Sequence, residues 1–157
     1  FSHSGSQTHI SNAKLIWFAL PNDPGDKDYN TLTGVDANNN EIRDDVELKK
    51  VMQEYQDRPL VLKLKQYEPI RLQRTMLKNP AQDIGDFMIW RSQTIEKEVL
   101  CENYLSQYDP RPIYGVTIGN SYQRVKALVD VEVKTPTNVP DLGLSQLEAC
   151  QSLGVIQ

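Results

Sequence analysis

Apolar residues fall at helical intervals over most of this chain, and irregularly only near its start. Ile42, Val46, Leu48, Val51, Met52 and Tyr55 line one side of a stretch whose other positions are Glu, Lys, Gln and Asp. That spacing predicts an amphipathic helix over 44–57. Asp57-Arg-Pro59 breaks the pattern and restarts it, since proline is tolerated at a first helical position. The next helix carries Leu60, Leu62, Leu64, Tyr67, Ile70, Met76 and Leu77, with a kink or second start at Pro69. Asn79-Pro80 reads as a cap followed by proline, opening a long helix through Ile84, Phe87, Met88, Ile95, Val99, Leu100 and Tyr104. Pro110 and Pro112 close the polar stretch behind it. A further helix starts near Asn120-Ser121 and is expected to bury Val125, Leu128 and Val129. Its tail, Val129 to Val133, alternates like a strand, and helix is the preferred reading. Ser145-Gln-Leu-Glu148 is a capping box, so a short helix runs to about Ser152 and stops at Gly154.

These elements predict an all-α protein: a helical bundle of about five helices behind an irregular N-terminal arm, with short connections between antiparallel neighbours. The 157 residues suit one domain, taken as 10–157, after a small polar and flexible terminus at 1–9 that holds both histidines, His3 and His9. No run of 18 apolar residues is present to span a bilayer. Leu15-Ile-Trp-Phe-Ala-Leu20 is too short for a signal-peptide core, so the chain is either cytosolic or has lost a leader before Phe1. A net charge of −4 argues against nucleic acid as a partner. Arg71, Arg74 and Lys78 form a small basic group whose plain reading is a solvated helix face. Cys101 and Cys150 are compatible with one structural disulfide tying the long helix to the C-terminal segment; the alternative is two buried free thiols.

One segment carries recognisable chemistry. In Asp36-Ala-Asn-Asn-Asn-Glu-Ile-Arg-Asp-Asp-Val-Glu47, oxygen-bearing side chains stand at positions 1, 3, 5, 9 and 12 of a twelve-residue window. This is the ligand spacing of an EF-hand-type calcium loop, because a hard cation takes six to eight oxygens brought to one point. Asp36 would bind through one carboxylate oxygen, Asn38 and Asn40 through amide oxygens, and Ile42 through its backbone carbonyl. Asp44 would bind directly or through water, and Glu47 would close the shell with both oxygens. Position 6 of such loops is a glycine because the backbone turns sharply there; here it is Glu41. The competing reading is an Asn/Asp-rich turn whose Asp44 and Asp45 favour a helix N-terminus without any ion. Upstream, Asp26-Lys-Asp28-Tyr-Asn30 mimics half of a second loop but lacks a closing carboxylate. It reads as an acidic loop able to lend an outer-shell ligand.

Asn30 to Asp36 followed by Asn38 to Glu47 resembles the loops of thrombospondin type 3 repeats and of atypical EF-hands that lack an entering helix. It also resembles a group of uncharacterised gammaproteobacterial exported proteins and lipoproteins. The resemblance implies export, to the periplasm or cell surface, and a calcium-stabilised start to the bundle, with no assigned enzyme activity. It implies ligand roles for Asp36, Asn38, Asn40, Asp44 and Glu47, and Glu41 departs from it. Asn120-Ser-Tyr-Gln-Arg124 is a weaker echo of the same group. The specific match covers under a fifth of the chain.

The leading functional reading is therefore a calcium-binding exported structural or interaction protein. A sensor switch is disfavoured by a single loop and only three methionines, Met52, Met76 and Met88. Catalysis would have to use carboxylates such as Asp86, Glu96, Glu98 or Glu102, with no histidine beyond residue 9 to serve as base or ligand. A partner-binding module using Trp17, Phe18, Trp90 and Tyr114 is the remaining alternative, weighed against Trp90 as a core residue. Partner and oligomeric state are not readable from these residues.

Overall fold

A computed structural model of the protein describes residues 22–29, 31–47, 52–134 and 139–157. The terminus at 1–9, the apolar run with Trp17 and Phe18, Asn30, and residues 48–51 of the first expected helix lie outside the described residues. Among those described, the secondary structure is helical, with no strand. A 3-10 turn at Gly25–Tyr29 precedes α1 (Asp44–Val46) and α2 (Met52–Tyr55), the two described ends of the helix expected over 44–57. Then come α3 (Pro59–Lys65), α4 (Tyr67–Met76), α5 (Gly85–Ser106), α6 (Tyr122–Glu132) and α7 (Gln146–Ser152). The last five make the bundle the periodicity called for. No helix among the described residues is long and apolar enough to cross a membrane.

Local chemistry explains most of the boundaries. Pro59 opens α3 at its first position. The restart expected at Pro69 falls three residues earlier, at Gln66, so that Pro69 sits in the first turn of α4, where a missing N–H costs nothing. The Asn79-Pro80 entry does not open the long helix. Asn79 instead accepts from the N–H of Ala81, and Asp83 accepts from that of Gly85, so two side-chain turns delay α5 to Gly85. Ser121 caps α6, and the tail to Glu132 is helical. The capping box of α7 is present in both directions, with Ser145 and Glu148 exchanging bonds of 3.0 and 3.1 Å. Gly154, at φ +73°, ends that helix, and the N–H of Val155 returns to the carbonyl of Cys150.

α5 is the spine: α3 and α4 lie along it, and α7 packs against it across the Cys101–Cys150 disulfide. The core gathers Val61, Leu62 and Leu64 of α3, Cys101 and Leu105 of α5, and Ala149, Cys150, Leu153 and Val155 at the C-terminus. Ile42 and Val46 join the same cluster, so the acidic loop is anchored in the core by its own apolar residues. Val116 and Ile118, on the extended segment between α5 and α6, close it from the other side.

Three placements differ from the sequence reading. Arg71 is buried and makes a paired bond to Glu98 of α5, at 2.9 and 3.2 Å, so only part of the basic group is a solvated face. Trp90 is not core. It is 38% exposed and stacks between Phe87 and the guanidinium of Arg74. Val125 and Val129 point out of the molecule, because Arg124 and Val131 take the inward face of α6.

Candidate metal centre

The loop over 36–47 is built by its own polar side chains bonding its own backbone. Asp36 accepts from the N–H groups of Asn40 and Glu41 at 3.3 and 2.9 Å, and the amide oxygen of Asn40 accepts from the N–H of Ile42 at 3.0 Å. Asp44 accepts from the N–H of Ala37 at 3.2 Å, while its own N–H reaches back to the carbonyl of Val35 at 2.8 Å. These bonds curl the chain so that positions 1, 9 and 12 meet. Carboxylate oxygens of Asp36, Asp44 and Glu47 lie within 4.8 Å of one another, a cluster able to hold a divalent cation. The amides of Asn38 and Asn40 approach the carboxylate of Glu47 closely enough to favour its charged form. Ile42 contributes a side chain to the core and a backbone N–H to Asn40.

The turn needs left-handed backbone at two places, Asn39 (φ 56°) and Glu41 (φ 66°). Asparagine adopts that region readily; glutamate does so at a cost of roughly 1–2 kcal/mol. The departure noticed at position 6 is thus a real left-handed residue. Its side chain is tied to α4 by a two-bond pair with Arg74 at 3.0 and 2.7 Å.

Electrostatics single out Glu47. It is fully buried, 0% exposed, and neither of its carboxylate oxygens has a hydrogen-bond partner. Burial pushes its pKa up to about 7; the Asn40 amide opposes this, and the charges of Asp44 and Asp36 add to it. Asp44 is likewise raised, by burial first and then by Asp36 and Asp28, against the bond from Ala37. Buried acceptors are ordinarily satisfied, and a lone buried carboxylate is costly. A buried carboxylate that the amides approach without a full hydrogen bond, within 4.8 Å of two further carboxylates, forms an arrangement that a cation would complete.

Behind the loop lies a network that the sequence reading missed. Arg43 donates to Asp45, to the carbonyl of Ile118 at 2.8 Å and to the amide oxygen of Asn120 at 3.3 Å. Asn120 in turn donates to Asp45 at 2.7 Å. Arg124 donates to the same amide oxygen at 2.7 Å, to the Asp28 carboxylate at 3.1 Å, and to the carbonyls of Asp28 and Thr31. Asp28 also accepts from the N–H of Val35 at 3.1 Å. Both arginines are buried, and burial lowers the pKa of Arg43 despite the opposing charge of Asp45. Within the acidic loop expected to lend an outer-shell ligand, Asp28 is thus engaged by Arg124. The one clue in the sequence was Asn120 with Arg124, on either side of the Ser121 cap, which carried only the weaker echo.

Elsewhere, the carboxylates considered for catalysis all lie on α5, and Glu98 and Glu102 stand one turn apart. Glu98 is held by Arg71, Asp86 is exposed in the first turn of α5, and Glu96 accepts from the N–H of Leu142 at 3.4 Å. Glu102 has a raised pKa, from burial and then from Glu68 and Glu98, partly offset by Lys65. Tyr114 is exposed in side chain, while its backbone N–H and carbonyl both bond the hydroxyl of Tyr55 at 2.7 and 3.3 Å. Compared with protein-family models, curated proteins and solved structures, the chain has no match.

Proposed function

We propose that the protein is a calcium-binding, exported structural or interaction protein, in which one EF-hand-like loop fastens the N-terminal arm to a helical bundle. The observation that carries this reading is Glu47, fully buried with both oxygens unpartnered, beside Asp36 and Asp44. Three carboxylates against two positive charges suit a hard cation better than a soft one. The ligand set would be Asp36, Asn38, Asn40, Ile42 through its carbonyl, Asp44 and Glu47. The disulfide supports a place outside the reducing cytosol, where calcium is also plentiful.

Calorimetric titration of chelator-treated protein tests the reading. One calcium should bind with a dissociation constant on the order of 10⁻⁴ M or tighter, and magnesium far more weakly, because magnesium demands a tighter octahedral shell. Glu47→Gln should abolish the heat. Silence in the wild-type titration, with no change in thermal midpoint between millimolar calcium and chelator, would reject the proposal.

A further inference from the structure

α6 carries apolar residues on both of its faces. Its inward face holds Val131 and the half-buried Leu128 beside Arg124, which is drawn in by Asp28 and Asn120. The opposite face carries Tyr122, Val125, Val129 and Val133, which are 81, 46, 50 and 72% exposed. Their spacing of three, four and four residues sets them in one stripe along the helix. Exposed apolar residues scattered singly need no explanation, but four in a line on a short helix do. Alongside the stripe stand Lys126 and Asp130 on one flank, bonded at 2.7 Å, and Glu132, paired with Arg91, on the other.

We propose that this face is a docking surface for a second copy of the chain, which pairs α6 with α6 antiparallel about a two-fold axis. The argument is the order of the residues. A two-fold axis through the middle of the stripe sets Val125 against the partner's Val129, and Tyr122 against the partner's Val133. The same axis brings the Lys126 flank of each helix onto the same flank of the other, so Lys126 faces the partner's Asp130 and Asp130 faces the partner's Lys126. A self-complementary patch of this kind is what an isologous interface requires. A membrane surface fits less well: interfacial helices are rich in Lys and Arg beside the apolar stripe, whereas this flank is neutral and the chain carries a net charge of −4. A contact made by one short helix from each copy is expected to be weak, so association is sought at high protein concentration.

The experiment is sedimentation equilibrium of the full chain in calcium-containing buffer up to about 1 mM, with the α6 backbone amides followed by NMR over the same range. The proposal expects concentration-dependent dimerisation, with shift changes centred on residues 122–133. Val129→Glu should weaken association at least about tenfold, and Lys126→Asp should weaken it while the added Asp130→Lys restores it. All three sites are solvent-facing, and thermal scans confirm that the variants fold. A chain that stays monomeric at the highest concentration overturns the proposal. So does a dimer indifferent to Val129→Glu, or a stripe that responds to lipid vesicles instead.

Discussion

At the scale of single residues, Glu47 decides how the loop behaves with and without an ion. Its pKa stands at about 7 against an ordinary 4.5, so folding favours the protonated form. In ion-free protein that contribution is complete below about pH 4.5 and is lost as pH rises through about 7, to the extent of at most about 3 kcal/mol. Asp44 is shifted the same way. Thermal scans in chelator should therefore show a midpoint that falls from about pH 5 to about pH 8. Saturating calcium should remove or reverse that trend, because its ligands must be deprotonated. Glu47→Gln should flatten the ion-free profile and make it insensitive to calcium. An ion-free midpoint that rises over this range would contradict the assignment of Glu47 as a bare buried acid. That Asp36, Asp44 and Glu47 would meet was legible from spacing alone, because the curl of a tight turn is a local property.

At the scale of elements, the loop and α6 are one unit. Gly34 lies at their junction with φ +62°, and a Cβ there would stand 2.5 Å from the Asp28 carboxylate and 2.8 Å from Arg124 and from Arg43. Gly34→Ala should destabilise the protein by about 2–4 kcal/mol, from left-handed strain and from displacing a buried ion pair. Urea unfolding measures it, and a loss under about 1 kcal/mol would mean the network yields easily. Helix existence and type followed from periodicity in the bundle, and the caps at Ser121 and Ser145 were readable from the residues. The start of α5 was not, because Asn79 and Asp83 spend their side chains on local turns instead of capping the long helix. The outward turn of Val125 and Val129 was also hidden, because periodicity names an apolar stripe without saying which side the core is on.

At the scale of the whole molecule, the disulfide fixes the C-terminus to the spine. Cys101 and Cys150 are 49 residues apart and both are fully buried. Closing a loop of that length stabilises the fold by up to about 4 kcal/mol in the chain-entropy account. Reduction, or a Cys101→Ser and Cys150→Ser double variant, should lower stability by about 2–4 kcal/mol while leaving calcium titration intact. The loop and the disulfide reach the core from opposite ends of the chain, through Ile42 and Val46 on one side and Cys101 and Cys150 on the other. Loss of calcium binding on reduction would show instead that the arm depends on the C-terminal helix for its shape.

What the sequence determined by itself was whatever depends on near neighbours: helical periods, a capping box, prolines at helix starts, and carboxylates spaced to meet within twelve residues. Tertiary structure decided everything that joins distant parts. It gave Asp28 a partner in Arg124, 96 residues away, took Arg71 into a pair with Glu98, and left Trp90 beside Arg74 at the surface. The physical reason is that burial belongs to the assembled molecule. A charged side chain has the same composition and spacing whether it ends in water or in a core, and only packing settles which charges must find each other.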